Sequence, residues 1–268
     1  MRIRQKKQFQ YGYNSITEMD GKYADTLMDF GILRLDDGQR IIDTACKERA
    51  FLLISGEAEF EWGGHKVVAK RSSCFDEGPW CLHVPSNVPV EILRFKSGTE
   101  ISIQKTTNDQ SFKAQLFTPE DCRTERLGAG TMNETATRIV RTIFNKSTRE
   151  QSNLVLGETI NFPGRWSSYP PHCHPQPEIY FYKFNLENGF GYSEVGDKVY
   201  KVRNNDTIMI TSEVAHPQVA APGYAMYYAW VIRHLENLPY MGPTFLPEHL
   251  WLTQKDAKFW PHICFQEE

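Results

Sequence analysis

The sequence predicts an all-β protein with few short helices, built from two related barrels. Long helical patterns are scarce, and short runs rich in β-branched and aromatic residues are broken by Gly, Asn, Asp and Pro. Many short strands with frequent turn signals are typical of sandwiches and barrels. The two halves of the chain also repeat one order of strand, hairpin, strand, tight turn and strand, which predicts a duplicated barrel.

The first barrel is predicted in residues 1–115. Its strands are expected in the runs RAFLLISG, AEFEWGGHKVVAKR, VPVEILRF and EISIQK. WGGH is a candidate hairpin turn, because Gly supplies the positive φ that such turns need. This half contains His65 and His83 but no H-x-H pair, so we expect a structural barrel that binds no metal.

The second barrel is predicted in residues 116–268. Its strands are expected in RIVRTIF, IYFYKFN, FGYSEVGDKVYKV, DTIMIT and MYYAWVI, with VGDK as a hairpin turn. The polar stretch 110–138 is rich in charges and turn formers, so it marks the boundary and is expected to hold a loop or a short helix. The tail from Gly242 onward has Pro, Trp and Phe spread through it. It is expected to pack across a barrel surface or against a partner subunit, so a homo-oligomer stays open.

The totals describe an ordinary globular chain, with 268 residues, 40% of them apolar and 24% charged. The formal net charge of −3 and the lack of a basic stripe argue against nucleic-acid binding. The basic N-terminus runs into polar residues, unlike a signal peptide, and no apolar run approaches the roughly 20 residues that span a bilayer. The six cysteines are scattered without a C-x-x-C pair, so we expect reduced thiols and a cytoplasmic protein that does not bind membranes.

The stretch SSYPPHCHPQPEIYFY holds the candidate site. His172 and His174 are two residues apart, so a strand would place both imidazoles on one face, and Glu178 shares that parity. His216 follows another predicted strand and turn. Three imidazoles and a carboxylate suit a borderline divalent metal, and the prolines would reduce the entropy lost in fixing the ligands.

On spacing alone, a second interpretation has equal weight. An H-x-H pair on a strand is also found as two solvated histidines, and His216, which precedes Pro217, fits an ordinary loop residue. Metal binding and solvated histidines therefore both stay open at this point.

These residues resemble the two motifs of the cupin superfamily. His172, His174 and Glu178 match the ligand positions and spacing of its first motif, and His216 matches the histidine of its second. The turn residues depart from the family pattern: where it has Gly or Pro, this chain has Trp166, Asn185, Asn205, Thr211 and Glu213. The departures put the local turn shape in doubt more than the metal.

A narrower resemblance spans nearly the whole chain. GETINFPGRWSSYPPHCHPQPEIYFYKF, HPQVAAPGYAMYYAWVI and LPEHLWL resemble segments of the bacterial 5-deoxy-glucuronate isomerases of inositol catabolism. EIYFYKF also resembles the related 5-keto-4-deoxyuronate isomerases, and LLISGEAEFEWGG and HVPSN match the first barrel of the family more loosely. The resemblance implies a bicupin of two jelly-roll barrels that isomerises 5-deoxy-glucuronate, a small sugar acid, to 2-deoxy-5-keto-gluconate.

The same resemblance implies a divalent metal held by His172, His174, Glu178 and His216. Zinc is the first expectation, with Mn, Fe and Ni as alternatives. The metal would hold both oxygens of a hydroxy-aldehyde during the aldose–ketose isomerisation.

Further groups are needed for proton transfer and for substrate binding. Glu178 is a poorer free base if it ligates the metal, so Tyr180 and Tyr182, which share its parity, and Glu194 on the following strand are added as catalytic candidates. The substrate carboxylate needs a cation, and the candidates are Arg165, Lys183 and Arg233.

Three other functions remain as alternatives: a 5-keto-4-deoxyuronate isomerase, another cupin metalloenzyme such as an Fe(II) dioxygenase, and a sugar-binding cupin without activity. Similar metal ligands serve different chemistries, so fold and metal alone do not decide. An apolar pocket would favour the dioxygenase, whereas a cation placed for a carboxylate would favour the isomerase.

Overall fold

A computed structural model describes residues 1–94 and 98–260 of the chain. Strand β1 (Arg2–Ile3) comes first in the chain. The strands of the first half are β2 (Gly12–Thr17), β3 (Asp29–Leu35), β4 (Arg40–Asp43), β5 (Glu48–Trp62), β6 (His65–Arg71), β7 (Cys81–Val84), β8 (Val90–Arg94), β9 (Thr99–Thr106) and β10 (Gln115–Phe117).

The second half is equally rich in strands. They are β11 (Arg123–Leu127), β12 (Arg138–Phe144), β13 (Leu154–Asn161), β14 (Trp166–Ser167), β15 (His172–Cys173), β16 (Glu178–Phe184), β17 (Phe190–Val195), β18 (Lys198–Arg203), β19 (Thr207–Ile210), β20 (Gln218–Ala220), β21 (Met226–Arg233) and β22 (Thr244–Phe245). The helices of the described residues are short and of the 3₁₀ type, at Ala24–Thr26, Met132–Glu134 and Pro247–Thr253. The prediction of an all-β chain with few short helices is confirmed.

The two halves share one pattern of strand pairing, all of it antiparallel. In the first half the order is β10-β7-β5-β9-β3-β2, and β5 continues to pair with β6 and β8, while β8 also pairs with β4. In the second half the order is β1-β19-β16-β21-β13-β12-β11, beside a second sheet of order β14-β20-β17-β18. The path β7-β5-β9-β3-β2 thus corresponds to β19-β16-β21-β13-β12, as the predicted duplication requires.

The strand registers extend this correspondence to individual residues. Arg49 of β5 pairs with Val84, the last residue of β7. Glu178 of β16 pairs with Ile210, the last residue of β19. Arg49 and Glu178 therefore occupy equivalent positions in the two barrels.

Both predicted hairpin turns are confirmed. Trp62 pairs with His65 across Gly63–Gly64, and Val195 pairs with Lys198. Strand β5 continues through Gly56, whose φ is +107° and where an added Cβ would lie 2.3 Å from Thr99 Oγ1. Glycine is needed there, because the backbone is left-handed and Thr99 is too close for a side chain.

The stretch 110–138 contains the predicted short helix, Met132–Glu134, but it also contains two strands that were not predicted, β10 and β11. Strand β11 was missed because its sequence, RTERL, is charged. It lies at the edge of its sheet, where charged residues are tolerated and discourage further pairing. Sheet membership changes between β10 and β11, which supports the proposed division into residues 1–115 and 116–268, although β1 pairs within the second half. That division remains a proposal.

Three large buried apolar clusters lie among the described residues and stabilise the fold. One fills the interior of the first barrel around Phe51, Leu53 and Phe60, and one fills the second barrel around Tyr182 and Ile208. The largest combines residues of both halves, among them Leu52, Phe144 and Phe181, so the two large sheets pack face to face. Full burial of each large apolar side chain contributes about 1.5–3 kcal/mol.

Two further sequence expectations can be compared with the structure. The five described cysteines are free, in agreement with the predicted reduced thiols, and Cys264 lies outside the described residues. The tail packs on its own barrel through Leu252, which contacts a small cluster with Met132 and Ala136. None of the helices in the described part of the chain has the length and apolar character needed to cross a lipid bilayer.

Candidate metal centre

Three loops and strand ends of the second barrel bring the candidate ligands together. His172 and His174 lie on the segment between β14 and β16, Glu178 is the first residue of β16, and His216 lies between β19 and β20. Because β16 and β19 are adjacent antiparallel strands, the first residue of β16 and the last residue of β19 lie at the same end of the sheet. His174, Glu178 and His216 converge there, with His172 beside them.

Three of these side chains converge closely. The ligand atoms of His174, Glu178 and His216 all lie within 4.8 Å of one another. Glu178 Oε2 is 3.2 Å from His174 Nε2 and 3.4 Å from His216 Nε2. The His172 ring is half-buried, with its centroid 4.8 Å from that of His216 and 6.5 Å from that of His174. His172 is therefore adjacent to the group but not part of its closest contacts, and ligation by all four residues stays a prediction.

The other nitrogen of each imidazole faces a backbone carbonyl. His172 Nδ1 lies 3.3 Å from Pro170 O, His174 Nδ1 lies 3.0 Å from Gln176 O, and His216 Nδ1 lies 2.8 Å from Val214 O. A carbonyl oxygen only accepts, so each Nδ1 donates a proton and each Nε2 of a neutral ring carries a lone pair. This arrangement fixes ring orientation and tautomer in the way that metal-binding histidines require.

The imidazole and carboxylate atoms of this group are suited to binding a cation. His216 is fully buried, and its Nε2 has no hydrogen-bond partner among the described residues. The His216 Nε2 lone pair and the Glu178 carboxylate oxygen thus face each other in a buried space, which is unfavourable unless a positive charge lies between them. Residues of this kind accept Zn, Fe, Ni or Mn.

The protonation of the imidazoles follows from burial and from Glu178. Burial lowers the pKa of His172 to about 4 and also lowers the pKa of His216, so both rings are neutral near pH 7. Burial opposes protonation of His174 too, but the hydrogen bond and charge of the Glu178 carboxylate raise its pKa overall. A bound cation would replace the proton that Glu178 otherwise attracts to His174.

A cavity of about 310 Å³ opens above these ligands. Its floor includes His172, His174 and Glu178, and its walls come from β11, β12, β13, β16 and β21 and from the segment Tyr240–Pro243. The lining mixes aromatic and aliphatic groups with hydroxyls from Thr159, Ser168 and Tyr180. Such a mixture suits a small polyhydroxylated molecule better than a purely apolar one.

Of the three added catalytic candidates, Tyr180 lines the cavity, whereas Tyr182 and Glu194 lie outside its described lining. Tyr180 lines the cavity, with its hydroxyl 3.3 Å from Ser168 Oγ, and burial raises its pKa well above its usual value, so it remains a phenol. Tyr182 points into the same barrel but donates to Gln218 Oε1, outside the cavity lining of the described chain. Glu194 is half-buried on β17 and is likewise not among the described lining residues. Burial raises the pKa of Glu194.

None of the three predicted carboxylate-binding cations is among the described residues that line the cavity. Lys183 has the opposite strand parity to Glu178, and its amine is bonded to Glu100 and Asn205. Arg233 Nε donates to Thr106 Oγ1 at 2.7 Å, and its Nη1 donates to the neighbouring carbonyl of His234. Arg165 is half-buried in a turn, where its Nη1 is 3.5 Å from Asn133 O.

Several lining residues were missed by the sequence reasoning. Tyr240, whose ring stands edge-on to His174 at 4.9 Å, belongs to the tail segment, and Glu125 and Arg138 come from strands that precede the H-x-H stretch. The available signal was the alternation in RIVRTIF, which places Arg138 on one face and Arg141 on the other. It could not show which barrel strand lies beside the ligand-bearing one.

A family model described as the KduI/IolB family matches residues 2–252. The chain belongs to the KduI/IolB family. This confirms the family predicted from the sequence. One KduI/IolB relative, the 5-deoxy-glucuronate isomerase of Geobacillus thermodenitrificans, is 28% identical over 218 residues, which cover 74% of this chain and 77% of that protein.

Solved structures similar to this KduI/IolB chain agree on the fold. An IolB-like protein from Salmonella typhimurium LT2 superposes with a TM-score of 0.81 at 20% identity, covering 92% of this chain and 97% of that one. A Bacillus subtilis oxalate decarboxylase, described with Mn(II) centres, superposes with a TM-score of 0.60 at 10% identity, covering 92% and 78%. These likenesses confirm the predicted bicupin fold.

Proposed function

We propose that this chain is a 5-deoxy-glucuronate isomerase, an intramolecular oxidoreductase that converts this aldose to the ketose 2-deoxy-5-keto-gluconate. The observation that carries the proposal is the convergence of His174, Glu178 and His216, beside His172, at the floor of a cavity that suits a sugar. The family membership and the name of the Geobacillus relative support the same reaction. Inositol catabolism in the cytoplasm is the proposed setting.

The proposed ligands are His172, His174, Glu178 and His216, and the proposed ion is zinc, with Mn, Fe or Ni as alternatives. A bound divalent ion supplies positive charge for the two adjacent oxygens of a hydroxy-aldehyde. The Pro170, Gln176 and Val214 carbonyls hold the three imidazoles in a fixed tautomer, so little reorganisation is needed when substrate binds.

Other side chains of the cavity have separate roles in this proposal. Tyr180 stays protonated, so its hydroxyl donates a hydrogen bond to a substrate oxygen and orients the carbon whose hydrogen moves. The segment Tyr240–Pro243 lines part of the cavity, and its role in this proposal is to limit the access of water to the reacting carbons. Tyr182 acts indirectly by positioning His216. Its hydroxyl donates to the side chain of Gln218, whose amide donates to the carbonyl of His216.

The experiment compares two histidine variants for metal content and turnover. We expect His216→Ala to lose the bound metal, measured by plasma mass spectrometry, and to isomerise 5-deoxy-glucuronate about 1000-fold more slowly. His65→Ala removes an exposed histidine of the first barrel and should change neither quantity. Full metal content and activity in His216→Ala would contradict the proposal.

The same assay separates the alternatives. Faster turnover of 5-keto-4-deoxyuronate than of 5-deoxy-glucuronate would assign the chain to the other isomerase reaction. Bound metal without turnover of either sugar acid would favour a sugar-binding cupin.

A further inference from the structure

Strand β12 carries two arginines that face opposite sides of the sheet. Arg141 faces the first barrel, where its Nη1 is 2.9 Å from Glu158 Oε1, and Arg71 bonds the same carboxylate at 2.6 Å. Arg138, three residues earlier, faces the cavity above the candidate ligands. Within the described part of the chain, Arg138 has no carboxylate within ion-pair distance. One arginine of the strand is thus neutralised, and the other is not.

The Arg138 side chain is nevertheless held in place. Its Nη1 donates to Ala136 O at 2.9 Å, and its Nη2 donates to Tyr169 O at 3.1 Å. A guanidinium has five N–H donors, so these two bonds orient the group and leave further N–H groups for a ligand. Tyr169 belongs to the segment that leads to His172, so Arg138 is tied to the loop that carries the candidate ligands.

The charge of Arg138 is costly where it lies. Burial lowers its pKa, but an arginine remains charged near neutral pH. The two acidic residues of the cavity lining are already engaged, since Glu125 accepts from Arg123 at 2.7 Å and Glu178 contacts His174. A partly buried cation without a counter-ion is stabilised by any anion that can reach it, and a carboxylate matches a guanidinium with two parallel hydrogen bonds.

We propose that Arg138 binds the terminal carboxylate of the substrate and thereby selects acidic sugars over neutral ones. The inference rests on the proposed function and adds a residue to it. In the open chain of a hexuronate the aldehyde and the carboxylate are at opposite ends, so the ligand cluster on the floor addresses one end and Arg138 in the wall addresses the other. Among the described lining residues Arg138 is the sole lysine or arginine, and this identifies it over Arg165, Lys183 and Arg233.

The test uses two unreactive probes, so that binding is separated from turnover. One is the hydroxy acid obtained by reducing the aldehyde of 5-deoxy-glucuronate, and the other is the neutral polyol in which the carboxylate is reduced as well. We expect Arg138→Gln to weaken the hydroxy acid about 100-fold in calorimetry and to change the polyol by less than about 3-fold. Arg138→Lys keeps the charge but not the paired geometry, so it should recover part of the affinity for the acid.

A matched control and a structural readout accompany these variants. Arg126→Gln removes one positive charge from the neighbouring strand β11 at an exposed position outside the described lining, and it should leave both affinities within about 3-fold. Metal content and the thermal unfolding midpoint should be the same in Arg138→Lys as in the unmodified protein. Equal weakening of both probes in either Arg138 variant, or no weakening at all, would overturn the inference, because the residue would then act only on the fold.

The two proposals fail in different ways. If the unmodified protein binds the hydroxy acid through Arg138 but does not isomerise 5-deoxy-glucuronate, the proposed reaction is wrong and the role of Arg138 stands. If it isomerises the sugar acid and Arg138→Gln leaves the KM unchanged, the reaction stands and the role of Arg138 is wrong.

Discussion

The two barrels place opposite chemistry at one equivalent position. In the second barrel Glu178 begins the strand and faces two imidazole nitrogens. In the first barrel Arg49 stands at that register position and is fully buried. Its guanidinium donates to carbonyls at the end of β4, just before β5 and in the loop after β7, namely Asp43, Lys47, Pro85 and Val88, and also to the Asp43 carboxylate.

The difference shows that equivalent segments of two related barrels can be joined by two kinds of interaction. In each barrel the chain before one strand, β5 or β16, lies next to the loop that follows its paired strand, β7 or β19. These two segments are held together in both barrels. Arg49 makes this junction with N–H donors directed at oxygen acceptors, and it supplies its own positive charge. The second barrel instead directs imidazole Nε2 atoms and the Glu178 carboxylate toward one another, a set that the proposed divalent cation would join. Under the proposed function, the cation that joins the second barrel comes from solution, whereas in the first barrel it is the covalently attached guanidinium of Arg49.

The largest expected effect in this comparison is the loss of the first junction. Arg49→Met should lower the free energy of unfolding by about 3–5 kcal/mol, because several carbonyls lose the buried guanidinium as their donor, while the Asp43 carboxylate keeps Lys105 as its cation. Urea denaturation measures this change, and metal content per folded molecule should be unaltered. Arg40→Met removes an exposed arginine bonded to Glu91 and should leave the free energy of unfolding nearly unchanged, because solvent screens an exposed ion pair. Similar costs for the two variants would remove the basis of the comparison.

Metal removal is the corresponding test of the second junction. At a free metal concentration 100-fold above Kd, bound metal should contribute about 2.7 kcal/mol to the free energy of unfolding, which chelation removes. Hydrogen exchange should then show faster exchange in residues 172–178 and 212–218 and unchanged exchange in residues 43–49 and 84–88. His216→Ala should not respond to the chelator, and a response shared by both barrels would argue against a site confined to the second.

The smallest expected effect concerns Tyr180, two residues after Glu178 on β16. Tyr180 is equivalent to Phe51, so the second barrel adds a hydroxyl where the first has none. Tyr180→Phe should cost about 1 kcal/mol in stability and about 10-fold in turnover, because the hydroxyl orients substrate but stays protonated. Tyr192→Phe changes an exposed ring and should have no effect. A loss of turnover above about 100-fold would make Tyr180 a proton-transfer group itself.

Periodicity and turn chemistry predicted much of this molecule. Alternation along β16 placed Glu178, Tyr180 and Tyr182 on one face, and the glycines of WGGH and VGDK located two hairpins, because these features depend on neighbours in sequence. The family resemblance then supplied the proposed ligand set, which spacing alone had left open.

Long-range pairing accounts for what the sequence did not predict. Arg138 reaches the cavity because β13 lies between β12 and β21, an order that no local pattern encodes. Arg165, Lys183 and Arg233 are candidates because a substrate carboxylate needs a cation, yet in the structure each has hydrogen-bond partners away from the cavity. The role of Arg49 was equally hidden, since a buried arginine is recognisable only when the carbonyls around it are known.

Strand β1 gives the fold an unusual order of assembly. Its residues pair with Thr207–Ile208 of β19, and Gln5 N bonds the Asp206 carboxylate 201 positions further along the chain. A ribosome adding about 5–20 residues per second needs about 10–40 s to produce that partner. The residues of β1 are thus among the last to be incorporated into the fold, and the first barrel can fold while the edge of the second is still being synthesised.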